Sequence, residues 1–556
     1  MVTAIRTTCA YCGVGCGIRA EVDTHAGART VKIAGDPKHP ANHGRLCSKG
    51  THLGETVGLE GRLLYPEIKG RRASWPKAID RVAKTFAETV ARYGPDSVAF
   101  YVSGQLLTED YYVANKLMKG FIGSANIDTN SRLCMSSAVA GHSRAFGEDI
   151  VPASYEDLDE ADLVVLVGSN TAWCHPVIYQ RILAARAARG TKLVVIDPRR
   201  TETCEDADLH LPLRPGSDVA LMNGLLAHCR EAGLLDEAFL ADHVAAPEGF
   251  WDALNAGNDL WSTAAACDLA PADLRAFYDL FAANPRTVTL FSQGINQSIR
   301  GTDQVNAIIN VHLATGRIGK PGAAPFSITG QPNAMGGREV GGLASTLASH
   351  MDFAPENVAH VGRFWAAPNM ATKPGLKAVD LFRQVREGQV KALWIMATNP
   401  AVSLPDAGLV REALATCPFV VVSDCIADTD TTRFAHVKLP QPAGARRTAR
   451  SPIPSGPSAA SARCSRLREK LDRTGGSSGK SRRRWAGPRP SPTTARQTSS
   501  ASTPVFRLIA TTAPGCSTSV STHLCPITPT RRWSRFAGAE SPSWMAASPR
   551  PTARHG

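Results

Sequence analysis

The chain has no run of eighteen apolar residues anywhere in its 556 positions, so no segment reads as a transmembrane helix. Its opening, MVTAIRTTCAYC, lacks the apolar core of a secretory signal and has no paired arginines. These absences lead to the expectation of a cytoplasmic protein that touches no membrane. Acidic residues are scarce in one place only: residues 441–556 hold 3 acidic against 20 basic side chains, whereas residues 1–440 hold 46 against 42. The net charge of +13 therefore comes from the last 116 residues. The patterned part of the chain is mildly acidic, which argues against a nucleic-acid partner. Apolar runs are also scarce in that basic stretch, which is rich in Ser, Pro, Arg, Thr and Ala and is expected to be disordered. Within it, GGSSGKS (475–481) is one residue short of a phosphate loop, and no strand precedes it.

Cysteine is not scarce. In a reducing compartment, 14 cysteines are better read as metal ligands, catalytic thiols or buried hydrophobes than as a disulfide framework. Cys9, Cys12 and Cys16 in CAYCGVGCG, with Cys47 in GRLCSKG, form C-x2-C-x3-C-x30-C. Three clustered thiolates and one distant one suit a 4Fe-4S cluster. Structural zinc, the competing reading, prefers two C-x2-C pairs. Gly13, Gly15 and Gly17 are expected to let the loop close around a bulky cluster. Lys49, two residues past the last cysteine, is either a solvated charge or a contact to a neighbouring redox centre.

Residues 1–58 show short alternating runs, IRAEV and RTVKIAG, expected as small antiparallel strands. Over residues 59–440, near-continuous apolar runs alternate with helical stretches, the pattern of parallel strands covered by helices on both faces. The expected fold class is α/β, with a small N-terminal iron–sulfur domain (1–58), an internally repeated parallel-sheet core (59–440) and a basic tail (441–556). The repeat runs DSVAFYVSGQ, ADLVVLVGSNTAWCHP, TKLVVIDPRR and then RTVTLFSQGINQ, VKALWIMATNPAVSLP, PFVVVSDC. Each set offers a strand ending in Ser with Gly and Gln, one ending in Asn, and one ending in Asp. Ligands bind beyond the carboxyl ends of parallel strands, so two sets suggest two nucleotide-like sites or one ligand of doubled form.

These motifs, with NSRLCMSSAVAGHSRAFGED (130–149), resemble the molybdopterin oxidoreductases of the bis-molybdopterin guanine dinucleotide class. Within that class they are most similar to the cytoplasmic assimilatory nitrate reductases, over about residues 5–440. The resemblance implies two interleaved Rossmann-like subdomains within 59–440. It implies a 4Fe-4S cluster on Cys9, Cys12, Cys16 and Cys47, and molybdenum bound to bis-molybdopterin guanine dinucleotide with Cys134 as the metal's thiolate ligand. Read without the resemblance, Cys134 is a buried hydrophobe. Lys49 would lie between cluster and pterin. Gly168, Asn170, Asp197, Arg199, Gly216 and Asp218 would contact one dinucleotide, Asn399 and Asp424 the other. Gln331 and Asn333 belong to GRIGKPGAAPFSITGQPNAMGGREVGG (316–342), a stretch too glycine-rich for helix or strand, expected to wrap the pterins as a loop. Ordinary turn chemistry competes for the Gly, Asn and Asp positions. Cys174 and His175 are expected to have a structural or supporting role.

The implied activity is reduction of nitrate to nitrite by oxygen-atom transfer, with electrons arriving singly through the cluster from ferredoxin, flavodoxin or an NADH-dependent reductase subunit. Arg132 and Arg144 are candidates to hold the anion. Formate dehydrogenase is the alternative within the family, but those enzymes tend to have His after the metal-binding residue, where Met135 stands here. A zinc-containing nucleic-acid-binding protein with a basic tail is the alternative outside it.

The resemblance breaks near residue 441, where the family goes on to complete its core and add a β-barrel domain. Codons allowed by ARRTARSPIPSG (445–456), read one base earlier, spell GEKDGTVTNSER, text of the kind the family has there. The tail is thus expected to be a frameshift product, and sequencing the gene across codon 441 tests this.

Overall fold

The computed structural model describes residues 2–25, 28–442, 450–451 and 459–460. Of the tail, only residues 441–442 and a two-residue antiparallel pairing of Arg450–Ser451 with Ala459–Ala460 fall among these. The expectation of disorder otherwise lies outside the described residues. No helix among them is long and apolar enough to cross a membrane.

The N-terminal segment is a three-stranded antiparallel sheet, β1 (Val2–Thr8), β2 (Gly17–His25) and β3 (Ala28–Gly35). The cysteine loop is the β1–β2 connection, closed by Cys9 N–H donating to the Cys16 carbonyl at 2.8 Å. Two short strands, β4 (Glu67–Ile68) and β5 (Arg71–Arg72), precede β6 (Val98–Val102) and β7 (Ile127–Thr129). The chain then builds a separate sheet from β8 (Leu163–Val167), β9 (Lys192–Ile196), β10 (Leu209–Leu211), β11 (Thr287–Phe291) and β12 (Ala324–Ser327). It returns to the earlier sheet with β13 (Ala392–Met396), β14 (Phe419–Asp424) and β15 (Val437–Pro440).

The five-stranded sheet has the order β10-β9-β8-β11-β12 and is parallel throughout. The seven-stranded sheet has the order β5-β4-β15-β14-β13-β6-β7, parallel from β15 to β7. Strands β6, β8, β11 and β13 are buried along their whole length; β6, β8 and β13 are unbroken apolar runs, and β11 adds the buried Thr287 and Thr289. Alternate side chains serve opposite faces: Val165 and Val167 join one core, Val164 and Leu166 another. The second of these cores also contains Cys9, Val14, Cys16 and Ile18, so the cysteine segment sits on one face of the five-stranded sheet. Each such buried Val or Leu contributes about 1.5–3 kcal/mol.

The repeat is present, but its two sets are not the two sheets. Superposing the orders pairs β6 with β11, β8 with β13 and β9 with β14, the pairing read from the strand ends. Yet β6, first of its set in sequence, lies beside β13 in the other set's sheet, and β11 lies beside β8. The exchange comes from the chain leaving the first sheet before completing it. The segment 316–342 also differs from the expected loop: it contains β12 and a helix, Ala334–Val340. Parallel pairing with β11 overrides the weak local preference, and the glycines at φ +66° (Gly319) and +74° (Gly322) sit before the strand.

The helix Gly301–Ala314 buries His312 against the five-stranded sheet. His312 Nδ1–H donates to the Arg317 carbonyl at 3.0 Å, and Nε2 accepts from the Thr289 hydroxyl at 2.8 Å. Burial pushes this imidazole from 6.5 down to about 4. The unfolded chain therefore binds a proton that the folded chain refuses, and stability should fall by about 3 kcal/mol as pH drops from 6.5 toward 4. Urea titrations at pH 7 and pH 4.5 should show His312→Gln losing much less on acidification than the wild type; an equal loss in both refutes it.

Candidate functional site

Cys9, Cys12, Cys16 and Cys47 line one cavity together with Tyr11, Leu46, Lys49 and Cys174. Cys47 enters as the residue preceding a short helix, Ser48–Thr51. Burial pushes the Cys9 thiol up to about 11 and raises Cys12 and Cys16 as well, with neighbouring thiols adding to the rise. Such thiols become thiolates only beside a strong positive charge, which a bound metal centre supplies. Among the described residues, no three His, Cys, Asp or Glu side chains converge on a position for a single metal ion. Three thiols from one loop and a fourth from a distant segment line this one cavity, the ligand pattern that suits an iron–sulfur cube.

The loop glycines also face the protein behind the loop. A Cβ on Gly13 would lie 2.2 Å from the Thr329 carbonyl oxygen, and one on Gly17 would overlap His39. Gly13 and Gly17 thus permit close contact with the protein around the loop; Gly15, at φ +66°, alone of the three needs the left-handed region.

Cys134 lies in the helix Ser131–Phe146, which kinks immediately after it at Met135 (φ −148°, ψ 31°). Gln293, at the end of β11, donates from Nε2 to Cys134 Sγ at 3.2 Å, and Thr329 Oγ1, beyond β12, is 3.8 Å away. Ser131 Oγ donates to Gln331 Oε1 at 2.6 Å. Just before the helix, Asn130 accepts from the Gly104 N–H beyond β6 at 3.0 Å and donates to Thr398 Oγ1 beyond β13 at 3.3 Å. Carboxyl ends from both sheets thus meet around the thiol, where open parallel sheets bind ligands.

The ends of the repeated strands match at the level of single hydrogen bonds. After β8, Gly168 has φ +54°; after β13, Ala397 has φ +56°. Asn170 Oδ1 accepts from Thr203 Oγ1 at 2.8 Å, and Asn399 Oδ1 accepts from Thr431 Oγ1 at 2.6 Å. Each threonine oxygen in turn accepts a backbone N–H at 3.1 Å, from Ala172 and Ala401. Asp197 accepts from Arg199 N–H and Asp424 from Ile426 N–H, both at 2.9 Å. The five-stranded sheet reverses its strand order between β8 and β11, and there Gly168 and Gly294 approach so closely that a Cβ on either would overlap the other. Gly216 (φ +86°) leads to Asp218, at the start of the helix Asp218–Glu231. Asp218 accepts from Gln304 at 2.8 Å, and burial, helped by the Asp197 charge, raises its pKa. The Asn333 amide holds the Leu106 carbonyl at 2.9 Å and so ties down residues near β6.

Neither arginine considered from sequence stands free beside Cys134. Arg132 is paired with Asp128 (Nε–Oδ2 3.0 Å), and Arg144 pairs with Asp303 on the surface at 2.8 Å. A third arginine, Arg338, packs against the side chain of Met135, the residue after Cys134; it was missed in the sequence because nothing in GGREVGG distinguishes it from a surface charge. It is 3 % exposed, with Nη1 3.9 Å from Met135 Sδ and 3.2 Å from Met335 Sδ. Its Nε donates to Asp149 Oδ2 at 2.6 Å and its Nη2 to Oδ1. Burial disfavours the Asp149 charge, but the Arg338 guanidinium outweighs it and holds the carboxyl well below the usual range. Lys119, also missed, is fully buried and donates to the carbonyls of Gly341 (2.6 Å), Leu343 (2.9 Å) and Thr346 (2.5 Å), which fastens the loop that follows Arg338.

A soft sulfur donor where two sheets' carboxyl ends meet, flanked by paired nucleotide-type strand ends, fits a transition metal held by a dinucleotide-bearing ligand of doubled form. Comparisons with known proteins give the family. A family model described as "Molybdopterin oxidoreductase Fe4S4 domain" matches residues 2–58, and one described as "Molybdopterin oxidoreductase" matches residues 62–444, ending where the basic tail begins. The chain is 56 % identical over 441 residues to a nitrate reductase of Klebsiella oxytoca, covering 79 % of this chain and 50 % of that protein. It is 50 % identical over 448 residues to a nitrate reductase of Shewanella frigidimarina, covering 79 % and 47 %. The chain thus spans about half the length of the curated relatives it matches. Acetylene hydratase from Pelobacter acetylenicus has a similar fold, with a TM-score of 0.67 at 20 % identity over 82 % of this chain and 66 % of that one.

Proposed function

This chain belongs to the molybdopterin oxidoreductase family, and on that premise we propose that it reduces nitrate to nitrite by oxygen-atom transfer in nitrate assimilation. Two electrons and two protons per nitrate make the balance, with water as the second product. In this reading residues 1–58 hold a 4Fe-4S cluster on Cys9, Cys12, Cys16 and Cys47, and residues 59–440 hold the bis-molybdopterin guanine dinucleotide with Cys134 on the metal. Gly168, Asn170, Asp197, Arg199, Gly216 and Asp218 serve one dinucleotide, Asn399 and Asp424 the other, and Gln331 and Asn333 the pterins. When bound, the metal supplies oxygen-atom exchange and the cluster supplies single electrons. Lys49 contributes a positive charge beside the cysteines. A ferredoxin, a flavodoxin or an NADH-dependent reductase subunit serves as donor, in the cytoplasm.

The observation that carries nitrate over formate is Met135, the residue that follows Cys134 at the kink of its helix. Formate oxidation needs a group beside the metal to take a proton, and a thioether cannot. Metal analysis of anaerobically purified protein, with viologen-linked assays of both substrates, tests this. Iron, molybdenum, nitrate reduction and no formate oxidation are expected; a colourless, molybdenum-free protein, or one that oxidises formate and ignores nitrate, overturns it.

A further inference from the structure

The kinked turn that carries Cys134 is gripped at several points by one short segment, the helix Gln293–Asn296 with Gln297 after it, which follows β11. Gln297 Nε2 donates to the carbonyl of Leu133, the residue before the cysteine, at 3.0 Å. Just past the kink, Asn296 Oδ1 accepts from Ala138 N–H at 2.9 Å, and the Asn296 carbonyl accepts from Ser137 Oγ at 2.7 Å. The segment is pinned in turn to the end of β8. Gly294 N–H donates to the Gly168 carbonyl at 3.0 Å, and Ser292 Oγ donates to the same oxygen at 3.2 Å. Gln293 therefore reaches the sulfur from a backbone that is bonded on both sides.

Its side-chain amide meets Cys134 Sγ directly, with Nε2 at 3.2 Å. A Cβ on Gly330 would lie 3.3 Å from that nitrogen, so the glycine leaves the amide its space. Thr329 Oγ1, at 3.8 Å, is the more distant of the sulfur's two polar neighbours. A sulfur bound to a metal is deprotonated and can only accept. The NH2 end of the amide, and not its oxygen, is the end that suits it.

We propose that Gln293 tunes the metal site: its Nε2–H donates to Cys134 Sγ and sets how strongly that sulfur gives electron density to the metal. The inference rests on the reading that Cys134 is the metal's ligand, and it deepens it by naming the group that controls this ligand. An N–H dipole aimed at the sulfur stabilises negative charge there. The reduced centre holds more of that charge, so the bond raises the metal's potential and favours the state that nitrate reduction consumes.

The test is an EPR-monitored redox titration of the anaerobic, molybdenum-loaded full chain as wild type and as Gln293→Met, a side chain of similar length with no donor. The molybdenum midpoint should fall in Gln293→Met while the iron–sulfur midpoint stays in place; a general loosening of the fold would disturb both. Pulsed EPR of chain labelled with 15N-glutamine should show a nitrogen coupling on the molybdenum signal in the wild type that Gln293→Met lacks. An unmoved molybdenum midpoint, or a coupling that persists in Gln293→Met, overturns the inference. Should Gln293→Met lose its metal, the labelled wild type decides alone, with the nitrogen coupling expected and its absence overturning the proposal. A wild-type chain with no molybdenum signal overturns the reading that Cys134 holds the metal, a failure told apart because it needs no variant.

Discussion

Replacing Cys134 with alanine is expected to lower dye-linked nitrate reduction at least a thousandfold, about 4 kcal/mol of lost transition-state stabilisation, while the iron–sulfur absorbance is unchanged. The separation follows from geometry. Cys134 belongs to the place where the ends of β6, β11, β12 and β13 meet, and it is not among the residues lining the four-cysteine cavity. Its loss should spare the cluster and remove the thiol proposed as the metal's ligand. Gln293 and Thr329 would remain around an empty position that neither can fill with a soft donor. Cys134→Ser should retain little activity, because an alkoxide is a harder and more basic ligand. Molybdenum content measured beside activity separates a lost metal from a metal held wrongly. Nitrate reduction within tenfold of wild type in Cys134→Ala, at full molybdenum content, would show that this thiol is not the ligand.

Replacing Asp149 with alanine should destabilise the described core by about 3–5 kcal/mol, the range for a buried ion pair that loses one partner. Asp149 is 9 % exposed and Arg338 3 %, and two bonds join them. The remaining guanidinium would keep only the weak sulfur contacts to Met135 and Met335. His142, buried 3.7 Å from Asp149, would lose its nearest charged neighbour as well. Removing both members in Asp149→Ala with Arg338→Met should cost less than Asp149→Ala alone, because no uncompensated charge stays behind. Chemical denaturation of the three variants reads this directly. A double variant no more stable than the single would mean that the pair is not the source of the loss.

The two variants differ in how their targets were reached. The four early cysteines were legible because thiols at set spacings have few chemical uses, whereas Cys134, a lone cysteine, was singled out only through the family resemblance. The paired strand ends were legible because a fully buried strand can carry polar residues only where it emerges, so Asn and Asp stand out after runs of Val and Leu. Arg338 was not legible: an arginine in a glycine-rich stretch reads as solvated, and its value depends on Asp149, 189 positions away in the chain. Gln293 was not singled out for the same reason, since its amide meets a sulfur 159 positions away. Segment 316–342 was misread because local propensity does not register β11, the strand that β12 pairs with.

By itself, the sequence determined the α/β class, the cysteine set, the doubled strand ends and the identity of the residue after Cys134, all of which depend on local pattern or on side-chain chemistry. The tertiary structure alone decided which sheet each repeated strand joins, which arginine pairs with Asp149 in the core and what the loop glycines touch. The reason is physical. Burial, charge pairing and close approach are properties of segments brought together over hundreds of residues, and no window of the chain contains both halves of such a contact.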